Sequence, residues 1–74
     1  MWRDNVVYKI YKKTPEIEKY CGVKEEKSAK DALRAFAKEK LPKGVGWNII
    51  ANYPALRYEL KTESGEIFYT IRVD

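Results

Sequence analysis

The sequence predicts one small α+β domain spanning residues 1–74. The expected architecture is a two-layer sandwich, with one amphipathic helix covering a four-stranded, mainly antiparallel sheet. Three observations lead there. Residues 45–73 alternate apolar and polar with a period of two, the signature of strands with one face buried. Residues 29–37 place Ala29, Ala32, Leu33, Phe36 and Ala37 on one face at helical spacing. Turn residues punctuate the segments between them: Pro42 and Gly44, then Pro54, then Ser64 and Gly65.

The first strand is expected over Arg3–Lys12, with Val6, Tyr8 and Ile10 on one face and Asn5, Val7, Lys9 and Tyr11 on the other. A short helical turn is expected near residues 15–21. Thr14 suits an N-cap, Pro15 the first helical position, Glu16 and Glu18 the positive end of the dipole, and Gly22 a left-handed terminus. Residues 23–27 read as a polar connector. Ser28 caps the main helix, with Asp31 three residues later as a weak capping box. Leu41–Gly44 close that helix, because proline cannot continue it and glycine permits a sharp reversal. Three strands follow, with a turn at 52–55 and a hairpin at 63–66. The order is therefore β-α-β-β-β, with a short extra helix before the main one.

The expected core is Val6, Tyr8, Ile10, Leu33, Phe36, Trp47, Ile49, Leu56, Tyr58, Leu60, Ile67, Tyr69 and Ile71. The place of the first strand is open. A right-handed crossover would set it parallel to the strand after the helix, and the long connection could instead carry it to the far edge, beside the last strand.

Seventy-four residues allow only a thin core. The single cysteine, Cys21, reads as a small, partly buried residue in a chain with no disulfide, in keeping with a reducing compartment. No apolar run reaches signal-peptide or membrane-spanning length, so a soluble, cytoplasmic protein with no membrane contact is expected. The chain has no histidine, which removes the commonest general base and metal ligand. Cys21 has no imidazole to activate it, and the four glycines form no phosphate-cradling loop. No catalytic residue, metal site or cofactor is expected, and the chain reads as a non-enzyme.

Two surfaces remain. The first is a basic helix stripe of Lys27, Lys30, Arg34 and Lys38, within a segment (28–44) that carries five basic and two acidic residues. Lys38, Lys40 and Lys43 suit the helix C-terminus, whereas Lys30 and Arg34 have no such local reason. A stripe of this kind could track a phosphate backbone, so nucleic acid is the alternative partner. The second surface is the sheet face away from the helix, assigned Val7, Lys9, Tyr11, Ile50, Arg57, Glu59, Phe68, Thr70 and Arg72. Aromatic and basic groups on an open sheet are what RNA-recognition domains use to stack bases, yet the strand–helix order differs and their aromatic-glycine motif is missing. Exposed Ile50 and Phe68 instead favour a protein partner. The leading expectation is a non-catalytic protein-binding module: a small inhibitor, adaptor or accessory protein, which its size would suit to a bacterium or phage. It would act through Tyr11, Ile50, Arg57, Phe68 and Arg72, or through a sheet edge, as a monomer or homodimer. Trp2 and Tyr20 are further candidate anchors.

Overall fold

The computed structural model describes residues 5–53 and 57–73. Strands β1 (Val6–Lys13) and β2 (Glu18–Glu26) precede helix α1 (Ala29–Lys40), and β3 (Trp47–Asn52), β4 (Arg57–Thr62) and β5 (Ile67–Val73) follow it. All five strands form one sheet in the order β2-β1-β5-β4-β3, and every pairing is antiparallel. The α+β sandwich of one helix on an antiparallel sheet is as expected, but the sheet has five strands rather than four. The expected strand start at Arg3, the proline of the 52–55 turn, the core position Leu56 and the anchor Trp2 lie outside the described residues.

The extra strand replaces the short helix expected at 15–21 and the connector at 23–27. Thr14 does use its hydroxyl as a cap would: its Oγ1 accepts from the Ile17 N–H at 3.0 Å. It also donates to the Ile17 carbonyl, which closes a turn rather than starting a helix. The chain then runs back along β1, from Lys13↔Glu18 to Val6↔Glu26. A seven-residue helix here would bury little, since Ile17 and Tyr20 are both exposed, whereas the strand satisfies its backbone groups on β1. Gly22 does take a positive φ of 141°, but at a β-bulge: the register slips between Ile10↔Gly22 and Tyr11↔Tyr20, leaving Cys21 unpaired. Cys21 packs against the core at the helix side. The first strand thus lies beside the last, between β2 and β5, and is not parallel to its neighbours.

Helix α1 begins where the sequence places it. Ser28 Oγ accepts from the Asp31 N–H at 3.2 Å, and the Leu41 N–H donates to the Ala37 carbonyl at 3.0 Å. Ala32, Leu33, Phe36 and Ala37 are buried against the sheet. The helix connects one edge strand, β2, to the opposite edge strand, β3. Beneath it the core is Ile10, Leu33, Phe36, Ala37, Leu60 and Phe68, with Trp47, Ile49, Leu41 and Cys21 around it. Lys24 of β2 pairs with Glu39 of the helix and ties the edge to the upper layer.

One strand faces the other way from the expectation. Phe68 is buried under the helix, its ring centroid 5.0 Å from that of Phe36, and Ile71 lies exposed on the far face. The cause is the β4–β5 turn. A two-residue loop at Ser64–Gly65 would pair Leu60 with Tyr69 and send the odd-numbered residues of β5 to the helix. The turn instead has three residues, Glu63–Gly65: Thr62 N–H donates to the Glu66 carbonyl at 2.9 Å, and Gly65 sits at φ +92°. Leu60 therefore pairs with Phe68 and Glu59 with Tyr69. A shift of one residue turns every side chain of the strand over.

Phe36→Ala should lower stability by about 3–5 kcal/mol in urea titrations, leaving little folded protein. Gly65→Ala should cost roughly 1 kcal/mol through its left-handed backbone. Deleting Ser64 leaves Glu63 and Gly65 as a two-residue turn between the same pair, Thr62 and Glu66, so the Leu60↔Phe68 register should survive and the variant should still unfold cooperatively in the same titration.

Candidate interaction surface

Helix α1 covers one side of the sheet, and among the described residues no second layer covers the other. The registers define what that open side carries. One row runs Tyr20, Tyr11, Tyr69, Glu59, Ile50 across all five strands. Beside it run Val23, Lys9 and Ile71, then Glu25, Val7 and Val73. On the other flank lie Glu18, Lys13, Ile67, Lys61 and Asn48.

The centre of this face is packed by its own side chains. Tyr69 is 1% exposed although no helix lies over it. It is flanked by Tyr11 of β1, stacked at 5.8 Å between centroids and 21° between planes, and by Arg57 of β4, whose guanidinium carbon sits 3.9 Å from the ring centroid. Tyr20 meets Tyr11 edge-on at 5.7 Å, and the bulge at Cys21 is what brings it into this row. Arg57 also holds the buried carboxylate of Glu59, through Nη2 at 3.0 Å and Nε at 3.1 Å to one oxygen. A carboxylate this enclosed needs such a partner. Around that rigid centre Tyr20, Val23, Ile71, Val73 and Ile50 stay exposed.

The Tyr69 hydroxyl is buried with no hydrogen-bond partner. Burial pushes its pKa up to about 12 from 10.0, and the carboxylate of Glu18 adds to the rise. At the turn end, Lys12 holds the Glu66 carboxyl below its ordinary value through a 2.5 Å contact.

Of the residues expected to bind a protein, the structure brings together Tyr11, Arg57 and Ile50. Phe68 is 4% exposed in the core and Arg72 lies on the helix side of β5, opposite Tyr8, so neither joins the open face. Thr70, also assigned there, is buried at the helix side. Tyr20, expected as a further anchor, is exposed on this face, whereas sequence reading missed Tyr69, Ile71, Val73 and Val23: the first three depend on the turn length and Val23 on a strand whose alternation the bulge interrupts.

The basic stripe is partly engaged. Lys30 Nζ lies 5.5 Å from the centre of the Tyr58 ring, and Arg34 Nη1 is 3.4 Å from Asp31 Oδ1. Lys27 and Lys38 are exposed. Among the described residues no cluster of His, Cys, Asp and Glu could hold a metal ion, and no helix is long and apolar enough to cross a membrane.

No family model, curated protein or solved structure matches the chain. What it does must be argued from its own surfaces.

Tyr69 makes stability depend on alkaline pH. Below pH 10 the phenol is protonated whether the chain is folded or not. Between 10 and about 12 the unfolded chain releases the proton first, so stability falls as pH rises through that window. Tyrosinate absorbance should show one phenol resisting ionisation until about pH 12, and Tyr69→Phe should remove that late step. Because the hydroxyl is unpaired, the same substitution should leave neutral-pH stability unchanged or raise it slightly.

Proposed function

We propose that the chain is a soluble, cytoplasmic, non-catalytic module that binds another protein through its open sheet face. The observation that carries this reading is the pairing of a fixed aromatic centre with an exposed apolar ring. Tyr11, Tyr69 and Arg57 hold one another in place, so docking on them costs little ordering entropy. Tyr20, Val23, Ile71 and Val73 supply apolar area that water now covers. Tyrosine and arginine at the centre of a patch are the side chains that most often dominate binding energy. Lys9, between Val23 and Ile71 in the register, and Lys13 give the patch basic points among its apolar ones. The partner that suits them presents an apolar centre with carboxylates near it.

The basic helix stripe supports the nucleic-acid reading less well. Two of its four cations already have intramolecular company in Tyr58 and Asp31, and Lys27 and Lys38 alone would neutralise few phosphates.

The test is to isolate proteins retained by the immobilised chain and titrate the purified partner by calorimetry. Ile71→Lys and Val23→Lys should each weaken binding on the order of tenfold or more without moving the melting temperature. Lys38→Glu should have little effect. The reverse pattern, with affinity falling steeply as salt rises, would transfer the function to the helix stripe.

A further inference from the structure

The two edges of the sheet are built differently, and the difference points to a second copy of this chain. Edge strands expose unpaired N–H and C=O groups, and monomeric proteins defend them with charge, proline or bulges. β2 is defended: it carries Glu18, Lys19, Lys24, Glu25 and Glu26, and the bulge at Cys21 twists it. β3 reads Trp-Asn-Ile-Ile-Ala-Asn over residues 47–52, with no charge, no proline and an unbroken register on β4.

The ladder shows which β3 groups face outward. The Gly46 carbonyl accepts from the Glu63 N–H at 2.9 Å, so it points toward β4. The Thr62 N–H points the other way, to Glu66 of the β5 side, so the opposing Trp47 has no ladder bonds to it. Backbone groups alternate sides along a strand. Trp47, Ile49 and Ala51 therefore direct their N–H and C=O groups away from the sheet, into the open edge.

We infer that two copies of the chain pair through β3, antiparallel about a twofold axis at Ile50, and so build a continuous ten-stranded sheet. That axis sets Ile50 against its counterpart as a close, non-hydrogen-bonded pair on the open face. It sets Asn48 against Asn52 on either side, and Ile49 against Ala51 as hydrogen-bonded pairs. Apolar meets apolar, amide meets amide, and no like charges oppose. It also brings the exposed ring of Tyr53 opposite Trp47 of the other copy. An axis one residue earlier would put Ile50 against Asn48 and lose the match. The contact is isologous, so it closes at two copies. It uses the edge rather than the apolar centre of the open face and does not depend on the function proposed above.

Sedimentation equilibrium tests this, since the monomer mass is 8.7 kDa. The protein should sediment at twice that mass and dissociate on dilution. Ile50→Lys, which opposes two ammonium groups, and Ala51→Pro, which removes an outward N–H, should each weaken dimerisation at least about tenfold with the circular dichroism spectrum unchanged. Ile71→Lys should leave the dimer intact, which separates this contact from binding at the face. In a Cys21→Ser background, Ile50→Cys should cross-link two chains under mild oxidation and Ile49→Cys should not. Monomers at millimolar concentration would overturn the inference. A dimer that survives Ile50→Lys and Ala51→Pro, or that cross-links through Ile49→Cys alone, would do the same.

Discussion

The register of the β4–β5 hairpin is the constraint on which the two faces of this protein depend. Thr62, Ser64 and Glu66 hold it through a compact set of bonds: Glu66 N–H to Thr62 Oγ1 at 3.0 Å, Thr62 Oγ1 to Ser64 Oγ at 3.0 Å, and Gly65 N–H to the Thr62 carbonyl at 3.0 Å. These lock a three-residue loop. β5 is the central strand, paired on both sides, so its orientation passes to β1 through Tyr11↔Tyr69 and to β4 through Leu60↔Phe68. One aromatic of β5 then seals the core against Phe36, and the next anchors the uncovered face. The hydrophobic layer and the candidate binding layer are two sides of one strand.

Much of the architecture was legible because it rests on local rules. The Ser28 cap, the buried stripe Ala32–Ala37 and the stop at Leu41–Pro42 follow from helix chemistry within a few residues. Trp47, Ile49, Leu60 and Ile10 face the helix as their alternation implies. What failed to show was non-local or degenerate. β5 is apolar on both faces, so alternation alone could not choose between Phe68 and Tyr69, and a single turn residue decided it. β2 has helix-like signals at Thr14 and Pro15, a charged composition and a bulge, all of which mask its pairing with β1. The candidate surface was readable where it depended on β1, β3 and β4, namely Tyr11, Ile50 and Arg57. Where it depended on those two strands, only Tyr20 was read as a candidate anchor.

The uncovered face also shows how a thin domain fills a missing layer. With no second helix among the described residues, Tyr11, Tyr69, Arg57 and Glu59 shield one another and bury a phenol and a carboxylate in a surface one side chain deep. The charged pair keeps this layer wettable, whereas an all-aliphatic face of the same area would invite indiscriminate sticking. Shape is thereby fixed at the centre and adhesiveness confined to Tyr20, Val23, Ile71 and Val73 around it.

The strand order has a consequence for how the chain comes to be folded. β1 with β2, and β3 with β4 and β5, are each separated by only a few residues and can form from neighbouring segments. The two halves are joined in the sheet only where β1 lies along β5, from Val7↔Val73 to Lys13↔Ile67. That seam closes a loop of more than fifty residues, so its entropy must be lost before its bonds repay it. Helix α1, spanning from one half to the other, shortens the distance the ends must travel. Until the seam closes, the meander has a bare inner edge at β5 that another molecule's β1 could occupy. Exchange of halves between copies is thus the misassembly this topology most readily permits, and crowded synthesis is where it would appear.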